Sequence, residues 1–434
     1  MGRRERMKRM IDDVWFLKRD LVSDDFDLAL ERLGQELPLN ICEYESGREV
    51  WTWIVPDKWT CHEAYVETLD GKRIIDYQDH PLHCATYASS FEGVIGRDEL
   101  FEHLLVHPHM SDAIPYSWLH YKTDWRLCCT QEQKAQLTED SYRVVVRTEH
   151  TPGMMKVGEV VIPGETEQEI VICAHLCHPH MANDDLAGVV VAIEVMRHLS
   201  QQSNHYTYRL LLPPETIGSV AWLSEHEALI PNIVGGLFIE MIGNDSPHAL
   251  QMSYLDDSEI DQCFWSVLKQ HDPQAWQGAF RRVIGNDERQ FNAPGVRIPM
   301  LSLSRVFHPD TGKWPTVEYH SSKDTPDALS LDRMEESVDV IVAMLKRFES
   351  NLYPVNLFRG EVFCSRYGLF IDFYKDPKNN LKLFDIMHCI DGTRTILEIA
   401  NHCDVTFDDV EQVITNLKKH HLVDLARQPL LKLG

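Results

Sequence analysis

The sequence predicts an α/β protein whose mostly parallel central sheet is covered by helices on both faces, with a small β-rich insertion and a C-terminal winged-helix-like unit. Three observations carry this reading. Strand-like apolar runs alternate with helix-periodic segments from about residue 142 to 350, acids and histidines stand at the ends of those runs, and a fresh set of periodic segments begins after the link NLYPVN. Such alternation implies parallel strands joined by crossover helices, with a ligand site beyond the strands' carboxyl ends.

Taken in order, residues 1–37 read as helical. Ile11, Val14, Leu17 and Leu21 recur every three to four residues, and Phe26, Leu28 and Leu33 start a second amphipathic piece. From Trp51 to Tyr121 the texture changes to short extended runs broken by Pro56-Asp57, Asp70-Gly71 and Gly93, which predicts a β-rich insertion over 51–121. The flanking parts, 1–50 and 122–350, are then one α/β domain. Within it YRVVVRTEH, MMKVGEVVIPG and EIVICAH read as strands, and Asp184–Gln202 reads as a helix with Leu186, Val189, Val190, Ile193 and Met196 on one face. YTYRLLLPPE, the helix Gly218–His226, the buried strand GGLFIEMIG and a helix over Leu331–Phe348 continue the pattern. From about Val355 the segments LKLFDIMHCI, TRTILEIANHC and DDVEQVITNLKKHHLVDL give helix, helix, helix and short strand, the order of a winged helix over 355–434.

Composition narrows the function classes. With 42 basic and 67 acidic side chains the formal charge is −25, which opposes attraction to nucleic acid or an anionic membrane surface. The segment from Val355 onward carries 10 Lys and Arg against 11 Asp and Glu, so the winged unit lacks a basic face for phosphates and is expected to pack on its own chain or to form a homo-oligomer contact. No apolar run approaches the roughly 20 residues that span a bilayer. The beginning MGRRERMKRMIDDVW is not a signal peptide, and 11 scattered cysteines without a CxxC pair suit reduced thiols. A cytoplasmic location is expected.

The chemistry is concentrated in VICAHLCHPHMANDDLAG (Val171–Gly188). An apolar strand delivers His175 and His178 close to Asp184 at a helix start, and Ala187 and Gly188 allow close packing there. Imidazole and carboxylate at a strand end suit a divalent cation. Glu215 stands where an apolar strand breaks into a helix, a place for a general base. Glu240 interrupts GGLFIEMIG, where an unpaired buried carboxylate would be costly. His320 lies in the polar turn EYHSSKDTP.

Together GKRIIDYQDHPLH, AIPYSWLHY, CHPHMANDDLAG, PETIGSVAWLS, GNDERQFNAPG and YHSSKDTP resemble the aminopeptidase-like proteins related to the M28 zinc peptidases, in particular a bacterial subgroup of DUF4910/DUF2172 type with an inserted domain and a C-terminal winged helix. The likeness runs over nearly the whole chain. It implies a zinc-exopeptidase-like fold, a metal site of His175 or His178 with Asp184, Glu240 and His320, Glu215 as general base and Asp287 lining the site. Two departures stand out. His175-Leu176-Cys177 replaces the usual HxD, leaving open which histidine is the first ligand, and Thr216 replaces the second acid of EExG, leaving open one Zn2+ or two. Mn2+ and Co2+ suit the same donors.

The leading expectation is therefore a zinc-dependent, aminopeptidase-like amide hydrolase acting on a small molecule or peptide with a free amine, water being activated by the cation and Glu215. A biosynthetic amidase or deacylase acting on a modified sugar, peptide or natural product is the rival within the fold. The rival of another class is a catalytically degenerate regulatory protein that works through its winged helix.

Overall fold

The computed structural model describes residues 1–430 and divides into two units, Met1–Ala343 and Met344–Gly434. The first is built on an eight-stranded sheet. Its strands, in chain order, are β1 (Asn40–Glu45), β2 (Met154–Ile162), β3 (Glu169–Cys173), β4 (Thr207–Leu212), β5 (Ile233–Glu240), β6 (His248–Gln251), β7 (Trp276–Gly278) and β8 (Met300–Arg305). The spatial order is β1-β2-β4-β3-β5-β8-β6-β7. Strands β4, β3, β5 and β8 are parallel to one another. This is the heart of the sheet that the strand-helix alternation predicts. The pairs β1–β2, β2–β4 and β6–β8 are antiparallel, so the sheet as a whole is mixed.

The central strands are apolar on both faces because helices cover both: every residue of β3 is buried. Helix α3 (Gly188–Leu199) is almost entirely buried and is covered in turn by α1 (Arg3–Val14), which buries Met7, Met10, Ile11 and Val14. Arg6 locks the two together through Glu194 at 2.8 and 2.5 Å. Helix α2 (Asp24–Gly34) begins on Ser23, whose side chain accepts from the Phe26 N–H. Between these helices the structure departs from the sequence expectation. Leu17 and Leu21 have helical spacing but belong to a buried non-helical segment, where the Leu17 and Arg19 carbonyls accept from His180 N (3.3 Å) and His178 N (3.1 Å). Periodicity alone does not show that the backbone has found partners in another loop.

The insertion also has other limits than 51–121. Its four-stranded sheet comprises Lys58–Glu67, Arg73–Asp76, Phe91–Gly96 and Ser141–Thr151. The last of these, read from sequence as part of the main domain, lies between Lys58–Glu67 and Phe91–Gly96 with antiparallel register to both. Alternating hydrophobicity identifies a strand; it does not name its neighbours. The insertion is fastened over the carboxyl end of the central sheet through the segment 114–116: Tyr116 N donates to the His320 carbonyl (2.8 Å), and Ser322 N to that of Ile114 (2.8 Å).

The second unit takes in the end of the helix Leu331–Ser350, the helices Pro377–Cys389, Ile396–His402 and Phe407–Lys419, and an antiparallel pair of strands, Tyr353–Asn356 with Val423–Ala426. Its three-helix order agrees with the sequence reading, while the unit begins earlier than Val355, at Met344 within the helix Leu331–Ser350, and its first strand starts at Tyr353. Thr395 and Thr406 each start a helix with reciprocal capping. No helix among the described residues is long and apolar enough to cross a membrane.

One buried ion-pair group ties the antiparallel flank to the parallel strands. Arg209 on β4 donates to Glu169 on β3 at 2.7 and 2.8 Å, and to Glu159 on β2 at 2.5 Å. Removing the guanidinium strands two buried carboxylates. Arg209→Met is expected to lower unfolding stability by about 3 kcal/mol in urea titration; a loss below about 1 kcal/mol, the usual worth of an exposed pair, would show that the group is solvated.

Candidate metal centre

Strand ends and a sharp turn bring the acids and histidines together. His175 follows β3, Glu240 ends β5, and Asp184 lies in an irregular turn, Asn183–Ala187, just before α3. That turn is wrapped around one buried carboxylate: Asp324 accepts from the N–H groups of Ala182 (3.2 Å), Asn183 (2.6 Å) and Asp184 (2.9 Å). The adjacent Asp185 faces the opposite way and accepts from Met241 N (3.0 Å) and Gly188 N (3.1 Å), joining the turn to the end of β5. Gly188 is required there, since a Cβ would lie 2.3 Å from Asp185 Oδ1 and 2.6 Å from the Ile239 carbonyl.

Asp184 is the centre of the group. Its Oδ1 is 3.4 Å from His175 Nε2, and its Oδ2 is 3.1 Å from His320 Nε2. Glu240 Oε1 lies 3.8 Å from His175 Nε2, and Glu215 Oε2 lies 3.8 Å from His178 Nε2. Among the described residues three sets of donor atoms result, each within 4.8 Å of one another: His175, Asp184 and Glu240; His178, Asp184 and His320; and His175, Cys177 and His178. Asp184 belongs to the first two, one oxygen approaching His175 and the other His320. The choice between His175 and His178 left open by the sequence is thus no choice of position, for both rings border Asp184.

These residues fit a cation. His175 Nε2, both Asp184 oxygens and Glu240 Oε2 are buried without a hydrogen-bond partner, which a protein interior seldom tolerates. Imidazole nitrogens and carboxylate oxygens converging on one space are the donors of zinc sites. In the protein alone their charges answer one another. Burial opposes charge on Asp184, yet His178, His175 and His320 hold its carboxyl well below the usual range. Burial also opposes charge on His175, but Asp184, Cys177 and Glu240 together raise it. Burial pushes Glu240 up to about 7 and Glu215 upward in direction.

Glu215 lines a pocket of about 710 Å3, and its side chain is 32 % exposed. The turn that presents it is strained: Thr216 has φ 63°, uncommon for a β-branched residue. Asp287 holds this turn, accepting from Thr216 N (2.9 Å) and Ser219 Oγ (2.5 Å). This corrects the expectation that Asp287 lines the site. It is fully buried beneath Ile217–Glu225, helix α4, and its neighbours Asn286, Arg289 and Gln290 line the pocket instead. A loop motif does not reveal which of its side chains turns inward.

Several residues here carried no assigned role in the sequence reading. Cys177 Sγ accepts from Glu215 N (3.1 Å) and lies 3.9 and 3.7 Å from the Nδ1 atoms of His175 and His178; the HLC departure was its signal. Asn286 Nδ2 donates to Glu240 Oε1. Tyr116 from the insertion packs edge-on against His178 and His320, at 4.9 and 5.3 Å between ring centroids. Arg19, fully buried, donates to the carbonyls of Leu176 (2.9 Å) and Met181 (2.7 Å) on either side of the histidine loop. Nothing in FLKRDLV announces that contact.

The family model for the domain of unknown function DUF4910 matches residues 8–351, and a winged helix-turn-helix model matches residues 353–425. A Clostridium acetobutylicum protein, provisionally named a polysaccharide biosynthesis protein with aminopeptidase-like domain, is 30 % identical over 421 residues, 96 % of this chain and 95 % of its own. A solved structure from the same organism, provisionally titled a peptidase, matches with a TM-score of 0.87 at 28 % identity over 98 % of this chain and 96 % of that one. The zinc aminopeptidase BSAP of Bacillus subtilis matches at TM-score 0.59 and 12 % identity, over 79 % of this chain and 94 % of its own, a likeness of fold.

If a divalent ion occupies this group, its removal leaves the buried carboxylates without a counter-charge. Elemental analysis of untreated protein should find zinc or a similar metal, and stripping with a chelator should lower Tm reversibly. At a free ion concentration about 100 times Kd the stabilisation is about 2.7 kcal/mol. Absence of metal together with an unchanged Tm after zinc is added would refute the site, and Asp184→Asn should reproduce the stripped state.

Proposed function

We propose that this chain, which belongs to the DUF4910 family, is a metal-dependent amide hydrolase of aminopeptidase type, with zinc as the favoured ion. The observation that carries the reading is the convergence of His175, His178, Asp184, Glu240 and His320 beside Glu215 in one pocket. The aminopeptidase-like fold supports it.

A divalent ion held by these side chains would supply Lewis acidity, polarising an amide carbonyl and easing loss of a proton from water. His175, Asp184 and Glu240 would form one donor set for it, and His178, Asp184 and His320 another. The chain's own work is proton transfer. Glu215 takes a proton from the attacking water at its carboxylate, the water oxygen bonds to the carbonyl carbon, and Glu215 returns the proton to the nitrogen as the C–N bond breaks. Burial already raises its acid above the ordinary value, which suits a group that must both accept and donate. Cys177 and Asp287 fix the backbone N–H groups of residues 215 and 216 and so position that carboxylate.

A second reading, amide hydrolysis on a sugar-bearing or otherwise modified substrate, is favoured by the pocket's wall. Trp53, Tyr116, Trp118, His120 and Tyr121 come from the insertion and line the same cavity, and flat aromatic faces suit sugar rings as well as apolar side chains. The name of the Clostridium acetobutylicum relative points the same way. Activity on N-acylated amino sugars without activity on aminoacyl amides would select this reading.

Glu215→Gln should retain metal and fold while kcat falls by about a thousandfold, within the usual contribution of a positioned acid-base group. Undiminished hydrolysis by the metal-loaded variant would remove Glu215 from the mechanism.

A further inference from the structure

We propose that Arg289 binds an oxyanion of the substrate, a carboxylate or a phosphate, so that the pocket takes amides bearing a negative group close to the bond that is cut. The inference rests on the amide-hydrolase reading of this pocket and gives a role to a residue which that reading leaves idle. Arg289 stands in the short helix Glu288–Asn292 and lines the cavity together with Glu215, Thr216 and Asn286.

Three contacts fix its guanidinium. Nε donates to the Asn286 carbonyl at 2.8 Å, and Nη2 reaches Thr216 Oγ1 at 3.5 Å. The stem crosses Gly285, where a Cβ would stand 3.3 Å from Arg289 Cδ and 3.6 Å from Nε. Both partners adjoin the acids of the site: Thr216 follows Glu215, and the Asn286 side chain donates to Glu240 Oε1.

The charge held there has no partner. Among the described residues Arg289 makes no ion pair, and its Nη1 has no acceptor. The acids beside it in sequence are turned elsewhere. Asp287 accepts from Thr216 N and Ser219 Oγ, and Glu288 accepts from Gln251 Nε2 and Asn286 N. Burial raises both acids and the Arg289 charge works against that, yet the guanidinium bonds to neither. A half-buried guanidinium at a cavity wall with N–H groups to spare is the donor that oxyanions match, its planar fork fixing orientation as well as place. The formal charge of −25 repels anions at range, so affinity for one must come from a local cation such as this. Because Arg289 touches the turn that carries Glu215, an oxyanion held on it belongs to the same molecule whose amide faces that carboxylate.

The test is calorimetry on the full-length protein as isolated, with n-butyrate, methyl phosphate and uncharged n-butanol as probes and metal content matched between variants. Wild type should bind at least one of the anions about tenfold or more tightly than the alcohol, the worth of a charge-assisted hydrogen bond, and the tighter anion names the substrate's group. Arg289→Gln and Arg289→Met should each erase that preference, and Arg289→Lys should keep part of it. A crystal soaked in the tighter anion should place an oxygen within hydrogen-bond reach of the Arg289 Nη atoms, a readout that needs no variant. Equal binding of anions and alcohol by wild type, an unaltered preference in an Arg289→Gln protein that melts as wild type does, or an anion seated on the histidines and acids instead of the guanidinium would overturn the proposal. None of these measurements requires turnover, so failure to hydrolyse any amide would count against the hydrolase reading alone.

Discussion

The compensation of buried negative charge around Asp184 is the constraint on which the rest of the structure depends. Three carboxylates, Asp184, Glu240 and Glu215, meet at the carboxyl ends of the parallel strands, with His175, His178 and His320 between them. Both Asp184 oxygens and Glu240 Oε2 are buried without a hydrogen-bond partner. The surrounding chain is organised to hold this situation in place. Asp324 collects three backbone N–H groups to shape the turn before α3, Asp185 ties it to β5, and Gly188 gives the room. These contacts fix the position of the turn through its backbone as well as its side chains.

Much of this was legible in the sequence because a charged side chain at the end of an apolar run is conspicuous. His175, Asp184, Glu215 and Glu240 each stand where a buried strand stops, and a parallel sheet carries all such ends to one edge. What stayed hidden depends on contacts between distant segments. Ser141–Thr151 has the alternation of any strand, and only the ladder with Lys58–Glu67 assigns it to the insertion. Asp287 belongs to a loop that does reach the pocket, yet its own side chain turns beneath α4. Leu17 and Leu21 mimic a helix in spacing while the backbone there bonds to the histidine loop. Periodicity reports which face is buried; it is silent on the partner.

The pairing of His178 with Cys177 explains how the site accommodates its unusual residues. Cys177 does not provide the carboxylate that HxD would supply; its sulfur lies near the Nδ1 atoms of both histidines and receives the Glu215 N–H. Thr216 offers a hydroxyl where EExG would offer a second acid, and His178 stands with Asp184 and His320 on that side of the group.

Substrate choice follows from a different set of elements than the metal group. The parallel strands and the turns at their ends supply acids and imidazoles. The pocket over them is walled by three additions to that edge: Arg19–Leu21, the aromatic stretch Tyr116–Tyr121 of the insertion and the loop from Arg281 to Ala293. Each is anchored to the group that it overlooks. Arg19 and Leu17 bond to the histidine loop, Tyr116 bonds to the His320 carbonyl, and Asn286 bonds to Glu240. A change in any wall is therefore transmitted to a ligand's backbone or side chain within one or two residues, so recognition and chemistry cannot vary independently here.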